Sequence, residues 1–88
     1  MTPKQSRAAR GWLGWSQQDL AERAGIAKNT VYAFERGQRT LTANNLGALR
    51  RAIEEAGIRL IFDNRGEATG IIRADADAVP DTRTTLPR

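Results

Sequence analysis

Neither cysteine nor histidine occurs in the sequence. The first absence rules out disulfides, thiolate metal sites and thiol chemistry. The second removes the commonest general base and the commonest metal ligand. Long apolar runs are missing too, and none approaches the roughly 20 residues that span a bilayer. The start, Met1-Thr2-Pro3-Lys4, is not a charged segment leading into an apolar one, so no signal peptide is expected. No basic cluster resembles a nuclear-import signal, and a cytoplasmic setting is the expectation. The remaining acids are scattered without paired spacing, and there is no Gly-rich phosphate loop or metal-ligand cluster. Neither enzyme activity, nor a cofactor, nor a bound metal is therefore expected.

What the chain does have is positive charge, unevenly spread. Its net charge is +4 over 88 residues. Residues 1–60 hold ten Lys and Arg against five Asp and Glu, while residues 61–88 hold four against five. The basic front favours a polyanionic partner for that part. Length allows one small domain. A core of that size is marginal alone, so self-association would be a natural way to stabilise it.

Helix punctuation divides the front into four segments. Thr2-Pro3-Lys4-Gln5 reads as a capped start with Pro in the first turn, and Gly14 ends that helix. Ser16 and Asp19 form a capping box for the second, with Trp15 and Leu20 as a hydrophobic staple and Gly25 as the stop. The third runs from about Ala27 to Arg36 and halts at Gly37. The fourth opens at Thr42, with Leu41 and Leu46 as a second staple, and ends at Gly57. Helical spacing predicts core stripes at Ala9, Trp12 and Leu13, at Leu20, Ala21 and Ala24, at Val31 and Phe34, and at Leu46, Leu49 and Ile53. Both tryptophans are expected in the core. Gly11, costly inside a helix, is expected to permit a close helix contact.

The third helix begins oddly. A surface helix favours Ser, Thr, Asp or Asn as its cap and acids in its first turn. Here Ala27 stands at the cap and the first charge is Lys28. Only the short turn Gly25-Ile26 separates this helix from the second, the spacing of a helix-turn-helix unit whose second helix enters the major groove of DNA. Acids at that tip would face phosphates, whereas free amide donors and Lys28 would face an anion favourably. The alternative is a small bundle whose Lys28 sits in solvent.

The run from Leu13 through Ser16-Gln17-Gln18-Asp19-Leu20-Ala21 to Gly25-Ile26, then Thr30-Val31 and Phe34-Glu35-Arg36-Gly37, resembles the phage repressor and Cro type of helix-turn-helix regulator. The likeness covers about residues 4–57. It implies a mainly α fold, a bundle of about five short helices of which this chain supplies four, with a C-terminal β-hairpin in place of the last. It implies a transcriptional regulator, a repressor or controller, that binds a palindromic operator in double-stranded DNA as a homodimer. Carried over by position, Gln17 resembles a phosphate clamp, and Lys28 and Asn29 match base-reading positions. Their chemistry agrees, since Lys can donate to guanine and Asn can pair with adenine. Ala27 and Ala33, where the family often has a capping Ser or Thr and a longer polar residue, could offer methyls to thymine, which leaves readout to Lys28, Asn29 and Tyr32. Packing on the helix surface is the alternative role for Tyr32. Thr30, Arg36, Arg39 and Asn44 resemble contacts to the DNA backbone. Arg10 and Glu35 resemble a structural ion pair between the first helix and the end of the third.

After Gly57 the pattern changes. Ile58-Arg59-Leu60-Ile61-Phe62 reads as a strand with Ile58, Leu60 and Phe62 on one side, Asp63 to Gly66 as a turn, and Thr69 to Arg73 as a returning strand. A lone hairpin is scarcely stable in water, so it must pack on the helices or on another chain. The strand Ile58, Arg59, Leu60, Ile61 and Phe62 is expected to form a dimer interface, as in antitoxins whose similar bundle carries a dimerising C-terminal strand. The competing expectation is a hairpin folded back on its own bundle. Three segments result: 1–57 for DNA, 58–73 for dimerisation, and 74–88 as a disordered tail. A second functional reading is an antitoxin or anti-activator that grips a toxin or activator protein through the hairpin or tail.

Overall fold

The computed structural model describes residues 1–73; the stretch 74–88, expected to be a disordered tail, lies outside the described residues. In chain order come α1 (Pro3–Leu13), α2 (Gln17–Ala24), α3 (Lys28–Glu35), α4 (Ala43–Glu55), β1 (Ile58–Phe62) and β2 (Ala68–Arg73). The fold is mainly α with a two-stranded antiparallel hairpin.

Caps set the helix boundaries. The Thr2 hydroxyl accepts from the Gln5 amide at 3.2 Å while Gln5 Oε1 accepts from the Thr2 amide at 3.0 Å. Ser16 and Asp19 close the same reciprocal box at 2.9 Å each way. Thr42 Oγ1 accepts from the Asn45 amide at 3.1 Å. These bonds satisfy amides that a helix start otherwise leaves without partners.

One core joins all four helices and β1. It contains Ala9, Leu20, Ala21, Val31, Phe34, Leu41, Leu49, Ala52, Ile53, Ile58 and Leu60. Leu20, Val31, Leu49 and Ile53 are fully buried, and each such side chain contributes on the order of 1.5–3 kcal/mol by leaving water. Leu13, Trp15, Ala24 and Leu46 pack at its margin. Trp15 also carries the Arg23 guanidinium at 4.4 Å from its ring centre, a stacking that keeps one face of the indole dry.

Two expectations fail in α1. Trp12 is not in the core; it is 63% exposed. It stands seven residues after Gln5, nearly on the same line along the helix. Gln5 is covered because its Nε2 donates to the Ile61 and Gly70 carbonyls of the hairpin, each at 3.1 Å. Trp12 instead lines an open cavity with Ile58 and Arg73 at the strand ends, where no further layer of chain lies over it among the described residues. Gly11 does not serve close packing either, since a Cβ placed there would meet nothing within 4 Å.

The hairpin folds onto the bundle of its own chain. Ile58 pairs with Arg73, Leu60 with Ile71 and Ile61 with Gly70; then Phe62 pairs with Ala68, so Thr69 is skipped as a bulge. Burial alternates along β1, with Ile58 and Leu60 inside and Arg59 and Ile61 outside. In the turn, Asp63 Oδ1 accepts from the amides of Arg65 and Glu67 at 2.8 and 2.9 Å. Among the described residues no helix is long and apolar enough to cross a membrane.

Candidate nucleic-acid interface

The turn between α2 and α3 fixes how α3 is presented. Gly25 adopts φ +72°, a left-handed value that side-chain-bearing residues avoid. Its amide and that of Ile26 close α2, Ile26 donating to the Ala21 carbonyl at 3.0 Å. The Ile26 side chain then packs against the core. The chain is pinned on both sides of the turn, and α3 starts at once.

Within α3, Val31, Phe34 and Glu35 face inward. Lys28, Asn29, Tyr32 and Arg36 are exposed, and Thr30 and Ala33 are half-buried. Ala27 is the N-cap, its side chain supplies no hydrogen bond, and the first turn holds no acid. The helix tip therefore combines amides lacking side-chain partners with the positive end of the helix dipole. Among the described residues Lys28 has no ion-pair partner. One turn on, the Arg36 guanidinium lies 5.3 Å from the Tyr32 ring centre, so the two exposed side chains steady each other. Arg39 is exposed on the segment between α3 and α4, and Asn44 is exposed in the first turn of α4.

Glu35 locks this surface to the rest of the bundle. It is a buried acid, only 2% exposed. Arg10 Nη2 approaches its Oε1 at 2.6 Å and Arg10 Nε donates to both carboxylate oxygens. Ser6 Oγ donates to Oε2 at 2.5 Å and Gln17 Nε2 to Oε1 at 3.2 Å. Arg7 donates to the Glu35 carbonyl. Burial alone would raise the carboxyl pKa, but the bonds from Arg10, Ser6 and Gln17, with the Arg10 charge, bring it below the ordinary glutamate value. The hydrogen bond to Glu35 raises the Arg10 value in turn.

Gln17, expected to hold a phosphate by side chain and backbone, is half-buried and spends one Nε2 hydrogen on Glu35. Its other Nε2 hydrogen and its backbone amide, at the first position of α2, are what remain for an outside acceptor. Ile58 and Leu60, expected at a dimer interface, lie in the core of the single chain at 1% and 5% exposure. Arg59 and Ile61 are exposed, and Phe62 is half-buried with the Arg50 guanidinium 5.7 Å from its ring centre. Sequence reasoning missed the Ser6 and Arg7 contributions to the Glu35 cluster. The signal was there: Gln5 and Ser6 interrupt the stripe that Ala9 and Leu13 continue, and polar groups on a buried face need partners.

A helix pair joined by a tight glycine turn, the second helix exposed, basic and acid-free at its tip, is the architecture of a DNA-reading module. A family model described as helix-turn-helix matches residues 7–56. The chain belongs to that family, the Cro/C1-type regulators, and is thus a DNA-binding transcription regulator. No curated protein gives a significant match.

Proposed function

We propose that the protein is a sequence-specific repressor or controller that binds a palindromic operator as a homodimer, with α3 in the major groove. One observation carries this reading: the start of α3 lacks a side-chain cap and any acid, yet it holds Lys28 and Asn29 exposed. Such a tip is poor local design in water and favourable against a groove lined with negative charge. In this reading Lys28 and Asn29 read base edges, Tyr32 and the Ala27 methyl touch the groove floor, and Gln17, Thr30, Arg36, Arg39 and Asn44 contact phosphates. Arg10 and Glu35 serve folding.

Selection of bound duplexes from random DNA tests the proposal. The expected product is a twofold motif with half-sites about one helical turn apart, roughly 34–36 Å. Enrichment of no motif, or of a single unrepeated half-site, would contradict it.

A further inference from the structure

Lys28, Tyr32 and Arg36 follow one another at four-residue spacing, so they share one exposed line along α3. Tyr32 stands between the two cations and is 44% exposed. The inward side of the helix is already filled by Val31 and Phe34, and the ring is left out of the core.

The ring is nevertheless held. The Arg36 guanidinium lies over it, 5.3 Å from its centre. Arg36 itself stands on a fixed base, because its amide donates to the Tyr32 carbonyl at 3.1 Å. The next two amides, of Gly37 and Gln38, donate to the Phe34 and Ala33 carbonyls at 2.9 Å each. Among the described residues neither side chain makes a hydrogen bond or an ion pair. The stack is therefore what orients them both.

The ground beside the ring is low and apolar. Ala33 follows Tyr32 with a methyl alone, one turn beyond Asn29. A guanidinium covers one face of a ring and leaves the other. Apart from the phenol hydroxyl, this turn offers apolar surface to a groove. Among base edges in the major groove, the apolar feature is the methyl group at position 5 of a pyrimidine.

We infer that the Tyr32 ring, beside Ala33, receives a pyrimidine methyl group, and that Arg36 is the positioning residue that holds the ring for it. This rests on the reading that places α3 in the major groove, and it gives Arg36 a second role beside its phosphate contact. The two roles are compatible. The flat face of a guanidinium stacks while the N–H groups in its plane remain available to a phosphate. Lysine keeps the charge but has no flat face, so Arg36→Lys separates the roles. Thymine and 5-methylcytosine carry the methyl at the same place, and the experiment distinguishes them.

The full chain is titrated on the selected operator with each thymine of one half-site replaced in turn by deoxyuridine, and each cytosine by 5-methylcytosine. At one position the methyl should change wild-type affinity about fourfold, the value of one buried carbon. Tyr32→Phe should keep that step and Tyr32→Ala should abolish it, both with unchanged helical circular dichroism. Arg36→Lys should shrink the step to below about twofold while random-duplex affinity and the salt slope stay at wild-type values. No methyl-dependent position, a step that survives Tyr32→Ala or is lost in Tyr32→Phe, or a full step in Arg36→Lys would overturn the inference. Lys28→Ala and Asn29→Ala keep the two readings apart. If they relax the operator motif while no pyrimidine methyl matters, the methyl site alone falls. If the motif ignores them too, the placement of α3 in the groove falls with it.

Discussion

Glu35 brings a full negative charge into the interior and meets donors from α1 and α2 there. A buried charge of this kind is tolerable only while its partners remain, and removing one costs about 3–5 kcal/mol. Arg10→Met should therefore destabilise the protein by roughly that amount in urea denaturation, since it also removes the bond from Arg10 Nη1 to the Trp15 carbonyl at 3.2 Å. A loss within error would mean that the cluster is incidental. The depressed Glu35 pKa also carries a sign. Its contribution is complete above the unfolded glutamate value of about 4.3 and is lost as pH falls through the lower folded value. Melting temperatures of wild type and Glu35→Gln should hence differ most at neutral pH and converge as pH falls below the ordinary glutamate range. A gap that widens on acidification would contradict the assignment.

At the level of elements, α3 goes without a side-chain cap and an acid at its tip, which the proposed function explains as stability given up for DNA binding. Restoring a cap and an acid at its tip with Ala27→Asp should stabilise the free protein by about 0.5–2 kcal/mol, visible as a rise of several degrees in melting temperature, and should weaken DNA binding. A variant that gains stability and binds DNA as well as wild type would remove the rationale for the bare tip. Most element boundaries were legible from sequence because they depend on neighbours in the chain. Thr2, Ser16 and Thr42 cap, and Gly14 and Gly25 stop, by bonds spanning three or four residues. Trp12 was misread because helical spacing gives direction but not length. It could not show that the hairpin covers the helix at Gln5 while nothing among the described residues shelters the indole. The strand's alternation likewise marked Ile58 and Leu60 as one buried side, but could not say whether the burying surface belonged to this chain or another.

For the whole molecule, the polarity of its surfaces gives the organising principle. α3 presents Lys28, Asn29, Tyr32 and Arg36, while α1 and β2 leave Trp12 and Ile72 exposed. Between them the Glu35 cluster and the shared core hold α3 in a fixed pose. The exposed, acid-free tip of α3 was visible in the sequence through Ala27, Lys28 and the glycine turn. The hold of Glu35 on Gln17 was not, because it joins residues far apart in the chain through a carboxylate whose several donors only the fold assembles.

The central claim is that the α3 tip reads bases while the surrounding cations grip the backbone. Salt-dependent binding titrations of four variants on the selected operator and on a random duplex test it directly. Lys28→Ala and Asn29→Ala should each cost about 1–3 kcal/mol on the operator and little on random DNA. Arg36→Ala and Arg39→Ala should weaken both duplexes and reduce the salt slope by about one charge each. Equal losses on operator and random DNA for Lys28→Ala and Asn29→Ala would contradict the account.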